Sequence, residues 1–455
     1  METHFTLEQL RDSRLKEADD ILRRCIHCGF CIAACPTYLL LGDERDSPRG
    51  RIYLIKAMLE GKAAPKKVRP HLDRCLSCYS CMTACPSGVD YRHLSDYARQ
   101  LIEKSSMRAP NDESQRKFLR NILPYPKRFR LALLALAATR PFRRFLSRSR
   151  LKLFKTVLEL APKSPLKIGI YTSPQTVKTE RPRRGRVVLL SGCVQRVLRP
   201  GLNDASIRFL NHLGYDVTLS EGEGCCGALT LQMGKEASAK AFAKQNIDVW
   251  YAEREKGPPL DAIIISTSGC GAAVKDYAHL FAGDPAYSEK AKYVSLLAKD
   301  ISEFAARQRL DAPVGWSDIR VAYHSACSMQ HGQRIIDEPR QLLRNAGFTL
   351  LEIPDGHICC GSAGTYNILQ PELAKELQER KLQAISSVKP DCVATGSIGC
   401  LNQLSAAPVP VLHIVELLDW AYGGPCPEAL KHLEGRIRPL PREGDTIVEE
   451  GYEMA

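Results

Sequence analysis

Eight cysteines near the N-terminus are spaced as metal ligands. They form two copies of the pattern CxxCxxCxxxCP, which consist of Cys25, Cys28, Cys31, Cys35 and Pro36, and of Cys75, Cys78, Cys81, Cys85 and Pro86. Cysteine thiolates at these intervals are typical ligands of 4Fe-4S clusters. Structural zinc and disulfides are the alternatives, but neither explains why every interval and the following proline occur twice. The spacing therefore predicts two 4Fe-4S clusters.

The same spacing predicts which cysteines share a cluster. In two-cluster ferredoxins with this pattern, the fourth cysteine of each run ligates the cluster of the other run. We therefore assign one cluster to Cys25, Cys28, Cys31 and Cys85. We assign the second cluster to Cys75, Cys78, Cys81 and Cys35.

A second group of cysteines lies in two repeated units of the C-terminal half. The repeat cysteines are Cys193, Cys225, Cys226 and Cys270 in the first unit, and Cys327, Cys359, Cys360 and Cys400 in the second. In both units 32 positions separate the first cysteine from the CCG motif, which indicates a duplication. We expect these thiolates to ligate a further iron-sulfur cluster in each unit or one cluster shared between the units. Buried structural thiols are the alternative.

Strands and helices must bring these distant cysteines together. Each unit alternates short β-branched runs with helices that end at a glycine, as at Gly214 and Gly347, which predicts an α/β fold with a mostly parallel sheet. The repeat cysteines follow the predicted strands, and ligands collect at the carboxyl edge of such sheets. Adjacent cysteines can face one site only at a tight turn, for which Gly227 and Gly361 supply the freedom.

The whole chain is predicted to be multi-domain, with an all-α two-cluster ferredoxin domain followed by duplicated α/β CCG domains. The segment RGRIYLIKAMLEG between the two cysteine runs has helical periodicity, and Thr6 with Gln9 resembles a capping box that starts a helix toward Arg23. The expected parts are residues 1–104 as the ferredoxin domain, 105–184 as a basic helical connector, 185–315 and 316–430 as the two CCG domains, and 431–455 as a tail.

The basic charge of the chain is concentrated in the predicted connector. Of 64 Lys and Arg residues, 13 lie between Ser114 and Leu158, where there is no Asp or Glu. The apolar run LALLALAA at 131–138 is too short to cross a bilayer. One interpretation is an amphipathic helix on an anionic membrane surface, and the other is a linker helix that packs on the ferredoxin domain or a partner. Nucleic-acid binding is not expected, because no supporting fold or interleaved aromatic residues accompany the charge.

Composition also bears on the compartment. The 18 cysteines are too dilute for a disulfide scaffold and occur mostly at metal-ligand spacings, which predicts a reducing environment. The polar N-terminus shows no secretory or twin-arginine signal. We therefore expect a cytoplasmic protein, either soluble or peripheral on the cytoplasmic face of the inner membrane.

Three motifs carry a resemblance to a known family. HCGFCIAACPTYLLLGDERDSPRGRIYLIKAMLEG at 27–61, SGCG at 268–271 and YHSACSMQHGQ at 323–333 resemble the iron-sulfur subunits of glycolate oxidase. The wider layout is similar to iron-sulfur subunits of lactate utilisation, of anaerobic glycerol-3-phosphate dehydrogenase and of heterodisulfide reductase, which are the alternative assignments.

The resemblance implies an electron-transfer subunit with no catalytic residue and no flavin of its own. Two flavin-containing partner subunits would accompany it, one of which oxidises glycolate to glyoxylate. This chain would pass the electrons toward a quinone or another acceptor and would be inactive alone. A protein in which metal serves only structure is the non-catalytic alternative.

Several residues qualify this resemblance. The fuller CCG pattern ends in CxxC, but Thr267 and Ser397 stand where the additional cysteines would be, which argues against cleavage of disulfides. His324, His331 and His357 flank cysteines of the second unit, and we expect hydrogen bonding to a cluster rather than ligation. Further expectations concern four residues: Arg49 and Arg51 offset cluster charge or form salt bridges, and Cys392 and Cys426 are structural.

Overall fold

The computed structural model describes residues 1–105, 108–138 and 168–439. Residues 1–105 form a helical region without a strand, as the apolar periodicity predicts. Its α-helices are α1 Ser13–Arg24, α2 Pro36–Leu41, α3 Pro48–Leu59, α4 Pro65–Asp73, α5 Ser80–Thr83 and α6 Tyr91–Lys104, with 3₁₀ helices at Gln9–Arg11 and Glu44–Asp46. Proline begins three of these helices, a position at which its missing N–H costs no hydrogen bond.

Helix α1 begins where Asp12 caps it. The Asp12 side chain accepts hydrogen bonds from two backbone N–H groups of the first turn. Thr6 and Gln9 do exchange the reciprocal hydrogen bonds of a capping box, but these hydrogen bonds enclose the preceding 3₁₀ turn. The prediction that Thr6 starts the helix is therefore wrong, because Asp12 caps the first turn instead.

Helices α1, α3, α4 and α6 pack around one apolar core. At its centre are side chains that are at most 1% exposed, namely Leu22, Ile55, Leu72 and Leu94. Full burial of a side chain of this size stabilises the fold by about 1.5–3 kcal/mol. The core fixes the start of each cysteine run, because Cys25 directly follows α1 and Cys75 lies just beyond the end of α4.

Two more helices follow the N-terminal region, α7 Pro110–Ile122 and α8 Pro126–Ala138. They lie in the predicted basic connector, of which residues 106–107 and 139–167 fall outside the described residues. Seven of the 13 basic residues in this stretch, from Arg140 to Lys155, are among them. Within the described ranges, no helix is both long and apolar enough to span a membrane.

Helix α8 has two different faces. Phe129 and Leu133 pack against Val197 of the C-terminal half. Leu131 and Leu134 point away from this contact and are 69% and 52% exposed. The apolar run predicted either to pack on the protein or to lie on a membrane therefore packs along one side and leaves the other side open.

The C-terminal half contains two α/β sheets of mainly parallel strands. The first has the order β1-β3-β2-β4-β5, with β1 Gln175–Val177, β2 Gly185–Leu189, β3 Tyr215–Leu219, β4 Ala262–Ile265 and β5 Ala298–Asp300. Only β1 is antiparallel to its neighbour. The second is fully parallel in the order β10-β9-β7-β8, with β7 Arg320–His324, β8 Thr349–Glu352, β9 Cys392–Thr395 and β10 Val411–His413.

The two sheets repeat one topology, because the order β3-β2-β4-β5 corresponds to β8-β7-β9-β10. The helices of the first unit are α9 Gln195–Leu198, α10 Gly201–His212, α11 Ala228–Gln232, α12 Glu236–Glu253, α13 Ser268–Lys275, α14 Tyr277–Leu280, α15 Ser288–Leu297 and α16 Ile301–Ala306. Those of the second are α17 Cys327–Gln330, α18 Glu338–Asn345, α19 Tyr366–Leu369, α20 Pro371–Ser387, α21 Ile398–Gln403 and α22 Ile414–Ala421, followed by the 3₁₀ helix Glu428–Arg436. The predicted duplication is thus confirmed.

Five strands were not predicted. Strands β5 and β10 add a fourth parallel strand to each unit, and β1 lies inside the predicted connector yet joins the first sheet. Strand β6 Gly315–Ser317 pairs with β11 Ile437–Pro439, which lies in the predicted tail. Each of these strands has three residues, which is too short to show an alternating pattern.

The two units pack through a shared core. Helix α10 of the first unit packs against α22 of the second, and α16 of the first packs against α18 of the second. Helices α10 and α18 follow the first parallel strand of their units, β2 and β7, and helices α16 and α22 follow the last, β5 and β10. The contact is therefore reciprocal, as across an approximate two-fold axis. Phe209, Val321 and Trp420 belong to the resulting core.

A stacked pair of histidines joins the N-terminal region to the first unit. His93 of α6 lies between Asp90, 2.6 Å from its Nδ1, and Asp276, 3.1 Å from its Nε2. Its ring stacks on His279 with 3.5 Å between centroids, and His279 contacts Glu17 of α1. Burial lowers the pKa of His93, but the two carboxylates outweigh burial and raise it to about 10. The ring is therefore an imidazolium at neutral pH.

The glycine after each adjacent cysteine pair has left-handed backbone geometry. Gly227 has φ 82° and Gly361 has φ 88°. A Cβ atom at Gly227 would lie 2.9 Å from the carbonyl oxygen of Ala239, and one at Gly361 would lie 2.6 Å from that of Ala374. The tight turn predicted from the CCG pattern therefore requires glycine for its backbone angle and for the close approach of a helix.

We predict that Gly361→Ala destabilises the protein more than Gly61→Ala. Gly61 also has a positive φ, but no described atom lies within 4 Å of the position that a Cβ atom would occupy there, so its substitution should cost only the backbone strain of about 1–2 kcal/mol. Gly361→Ala adds the clash with Ala374. Urea unfolding followed by circular dichroism measures both losses, and equal losses would contradict this account of the turn.

Candidate metal centres

Cysteines from both N-terminal runs line one cavity. Cys25, Cys28 and Cys31 of the first run and Cys85 of the second surround an open space of about 430 Å³. We call this group site 1. Cys28 is exposed, whereas Cys25 is buried, so site 1 reaches the protein surface.

The other four cysteines line a neighbouring cavity of about 330 Å³. Site 2 consists of Cys75, Cys78 and Cys81 of the second run and Cys35 of the first. Four sulfur donors around each of two small adjacent cavities are the donor set that 4Fe-4S clusters require. Cys81 lines both cavities, which places the two sites side by side.

The two runs use the same loop conformation. The residue before the second cysteine is left-handed in both, with φ 56° at His27 and 52° at Ser77. The residue after it is also left-handed, with φ 88° at Gly29 and 60° at Tyr79. Left-handed backbone in residues other than glycine costs energy and concentrates at functional sites, so the sequence repeat is also a repeat of strained loop geometry.

Buried arginines distinguish site 2 from site 1. Arg51 is 2% exposed, and its Nη1 lies 3.7 Å from the Cys35 sulfur, while Arg99 donates to the Cys75 carbonyl at 3.0 Å. Burial raises the pKa of the Cys75 thiol, but the charges of Arg51 and Arg99 outweigh burial, and the net pKa is lowered. At site 1, burial raises the pKa of Cys31 to about 11.

The first CCG unit gathers its four cysteines, which we call CCG site 1. The Cys193 and Cys225 sulfurs are 3.5 Å apart, and those of Cys226 and Cys270 are 3.0 Å apart. The hydrogen bond from Cys193 lowers the pKa of Cys225 well below the ordinary value of a thiol. The backbone N–H of Gly227 also donates to the Cys225 sulfur at 3.4 Å. These two hydrogen bonds stabilise the thiolate form of Cys225 although this residue is buried.

The second unit gathers its cysteines in the same way, and we call them CCG site 2. The Cys327 and Cys359 sulfurs are 3.7 Å apart, and those of Cys360 and Cys400 are 3.5 Å apart. A ring nitrogen of His324 and the sulfurs of Cys360 and Cys400 lie within 4.8 Å of one another. Burial, with a smaller contribution from Lys381, lowers the pKa of His324 to about 3, so its imidazole is neutral.

One large open cavity, of about 1710 Å³, connects the two CCG sites. All eight repeat cysteines line it on one side. Apolar residues of α7 and α8 line it on another, namely Phe118, Leu119, Ile122, Phe129, Ala132, Leu133 and Leu136. The cavity is thus bounded by thiols and by an apolar helical hairpin.

CCG site 2 lies directly against site 2 of the N-terminal region. Cys78 and Leu76 share one buried apolar cluster with Cys359 and Ile358, and Cys327 packs against it. Close by, the hydroxyl of Thr83 lies 2.8 Å from His331 Nδ1. The described structure therefore places the sites in the order site 1, site 2, CCG site 2.

The other singled-out residues have local partners. The second ring nitrogen of His331 lies 3.2 Å from the carbonyl oxygen of His357. Arg49 donates to Glu44 at 2.6 Å and lines site 1, so the salt-bridge expectation applies to it. Cys392 is buried in β9, and Cys426 is partly buried and packs against the core that contains Cys392.

Sequence reasoning missed three groups near the cysteines. Arg99 and Tyr91 on α6 both reach Cys75, with the Tyr91 hydroxyl 3.6 Å from its sulfur. Lys381 of α20 is 2% exposed and donates to the Asp355 carbonyl beside CCG site 2. The signal for Arg99 was its place on the apolar face of a helix between Ala98 and Ile102, where a charged residue requires a buried partner.

Two families of domains match this chain. The 4Fe-4S dicluster domain matches residues 24–89, and the cysteine-rich domain matches twice, at residues 187–275 and 321–405. Among solved structures, a hypothetical protein from Helicobacter pylori superposes with a TM-score of 0.50 over 94% of this chain and 80% of its own, at 10% identity. That likeness concerns the fold alone.

Curated relatives share nearly the whole chain. The glycolate oxidase iron-sulfur subunit of Escherichia coli (strain K12) is 40% identical over 92% of this chain and 99% of its own length. The probable glycolate oxidase iron-sulfur subunit of Bacillus subtilis (strain 168) is 30% identical over 93% of this chain and 99% of its own. Lactate utilization protein A of Geobacillus thermodenitrificans is 27% identical over 51% of this chain. With duplicated cysteine-rich domains behind a dicluster domain and this identity along nearly its full length, the chain belongs to the family of glycolate oxidase iron-sulfur subunits.

Proposed function

We propose that this chain is the electron-transfer subunit of a complex that oxidises glycolate to glyoxylate on a flavin-containing partner. The observation that carries the proposal is the contiguous series of cysteine sites from the exposed site 1 through site 2 to CCG site 2. The names of the full-length relatives support the substrate. The complex would contain two flavin-type subunits, and no flavin would bind this chain.

The chemistry explains why such a subunit is needed. Oxidation of a 2-hydroxy acid releases two electrons as a hydride, which a flavin accepts. Iron-sulfur clusters, when bound, take up and release single electrons. The protein contributes ligation, spacing and tuning. Our proposed ligands are the four cysteines of site 1, the four of site 2, and those of the CCG sites for one or two further clusters.

We propose that the partner docks where site 1 meets the surface. Site 1 has the exposed Cys28, while site 2 lies beneath the second CCG unit. Around Cys28 the surface carries three large apolar residues, Ile26, Phe30 and Tyr53, which are 68%, 69% and 58% exposed. Electron transfer weakens steeply with distance, so a flavin donor must approach the site that reaches the surface.

Charge favours onward movement from site 1 to site 2. Arg51 and Arg99 are buried beside site 2 and lower the pKa of Cys75, although Asp46 and Asp96 form ion pairs with them. Arg49 at site 1 is partly exposed and paired with Glu44. A buried positive charge favours the more negative, reduced state of a nearby metal site. Site 2 would therefore have the higher reduction potential of the two.

For the final acceptor we propose a quinone. The cavity between the CCG sites combines thiol ligands with the apolar side chains of α7 and α8, which suits an apolar ring compound. The exposed Leu131 and Leu134 on α8 support contact with a membrane surface, on the cytoplasmic face, from which such an acceptor would come.

The domain organisation is part of this proposal. A two-cluster ferredoxin domain of the all-α type would cover residues 1–104 and the two CCG domains residues 185–315 and 316–430. The end of α6 at Lys104 supports the first boundary. Residues 105–184 would join them as the basic connector, although β1 belongs to the first sheet.

We predict that Cys75→Ser removes one cluster from anaerobically prepared protein. A serine hydroxyl is a much poorer iron ligand than the thiolate whose pKa Arg51 and Arg99 lower, so the iron content should fall by about four per chain. Iron and sulfide assays with electron paramagnetic resonance measure the loss. Cys426→Ser is the matched control and should keep all iron; zinc in place of iron would refute the proposed cofactor.

We predict that the isolated chain does not oxidise glycolate. It has no flavin to accept a hydride, so purified protein with glycolate and a dye should show no turnover. Addition of the flavin-containing partners should restore dye reduction and bleach the visible absorption of the clusters. Full turnover by this chain alone would contradict the electron-transfer role.

We predict that Phe30→Glu weakens partner binding and slows reduction of the clusters by glycolate. A carboxylate at the centre of the surface around Cys28 would have to be desolvated in the complex. Sedimentation measures binding, and reduction by dithionite confirms that the clusters are intact. Leu296→Glu is the control, because Leu296 is similarly exposed at 74% but lies on α15 of the first CCG unit. Equal effects of the two substitutions would refute this docking surface.

A further inference from the structure

His324 is a buried histidine without a hydrogen-bond partner among the residues that the structure describes. It is the last residue of β7 and is 1% exposed. Both of its ring nitrogens are buried and unpartnered. A buried polar group without a hydrogen bond lowers the stability of the fold by about 1–3 kcal/mol. Such a side chain is therefore expected where a bound group supplies the missing interaction.

The surroundings of His324 indicate what that group is. One of its ring nitrogens lies within 4.8 Å of the sulfurs of Cys360 and Cys400, which are 3.5 Å from each other. Neutral imidazole and thiolate are both ligands of iron. These three donor atoms of CCG site 2 are thus close enough together to bind one metal ion.

The repeat provides an internal comparison. His324 precedes Cys327 by three residues, and Leu190 precedes Cys193 by three. Leu190 is a buried part of the apolar core and has no donor atom. At this position the second unit therefore has a nitrogen donor where the first unit has an apolar side chain.

At a second position, too, the second unit has a basic side chain and the first unit does not. Lys381 lies seven residues after Ala374, whose carbonyl approaches Gly361. The corresponding residue after Ala239 is Asn246, which bonds to the backbone of Gly224 and Cys225. CCG site 2 therefore has two basic side chains, His324 and Lys381, where CCG site 1 has a leucine and the uncharged amide of Asn246.

We infer that His324 supplies a nitrogen ligand to iron at CCG site 2 and compensates there for the cysteine that Ser397 replaces. CCG site 1, with Leu190, would be ligated by sulfur from its four cysteines. The inference rests on the proposed function in one respect, namely that CCG site 2 binds an iron-sulfur cluster. With this ligand, the two CCG sites would have different sets of donor atoms.

The test is electron-nuclear double resonance on the full-length holoprotein labelled with ¹⁵N-histidine and reduced by dithionite. A directly bonded nitrogen should give a strong ¹⁵N coupling to one cluster signal. His324→Leu, which copies the residue of the first unit, should lose this coupling. His331→Gln is the matched control and should keep it, because both nitrogens of His331 already have partners.

Each other outcome overturns the inference. A cluster signal from CCG site 2 without strong histidine coupling, or with the weak coupling of a hydrogen bond, refutes ligation by His324. An iron content of only about eight per chain, which two 4Fe-4S clusters account for, refutes it because CCG site 2 then holds no cluster. The labelled wild-type protein decides these cases even if His324→Leu does not fold. Failure of glycolate to reduce the clusters of the complex would instead refute the proposed function.

Discussion

The gathering of many thiols into small buried spaces is the constraint on which the structure depends. Burial raises the pKa of Cys25, Cys31, Cys78 and Cys81, and neighbouring thiolates repel one another. A site of this kind is stable as a set of thiolates only with positive charge beside it. Arg51 and Arg99 provide part of that charge at site 2, and bound metal provides the rest, so metal binding and folding of the N-terminal region are coupled.

The sequence predicted the structure best where the intervals between cysteines are fixed. The intervals of the two cysteine runs imply crossed sets, and the cavities lined by Cys85 with the first run and by Cys35 with the second agree with that arrangement. The duplicated sheets also followed from spacing. Strands of three residues such as β5 and β10 could not be predicted, because their pairing depends on neighbours distant in sequence. The same holds for Lys381, which reaches CCG site 2 only through the packing of α20.

Duplication produced a symmetric scaffold with unequal sites. The reciprocal packing of α10 on α22 and of α16 on α18 keeps the two sheets in fixed relation, so that both CCG sites open into one cavity. The two CCG sites nevertheless differ in their side chains at corresponding positions, because Leu190 of the first unit corresponds to His324 of the second. In the second unit, Cys359 shares an apolar cluster with Cys78 of site 2. The two repeats therefore differ both in their contact with site 2 and in the donor atoms of their CCG sites.

The histidine stack between α6 and α14 makes one contact between the N-terminal region and the first CCG unit sensitive to pH. Below the ordinary pKa of histidine, near 6.5, the favourable contribution of His93 between Asp90 and Asp276 is fully present. It fades as the pH rises through about 10, the value to which the carboxylates raise its pKa against the effect of burial. Alkaline pH would therefore weaken this contact between α6 and the first CCG unit, which the ion pair of Arg92 with Asp276 also holds.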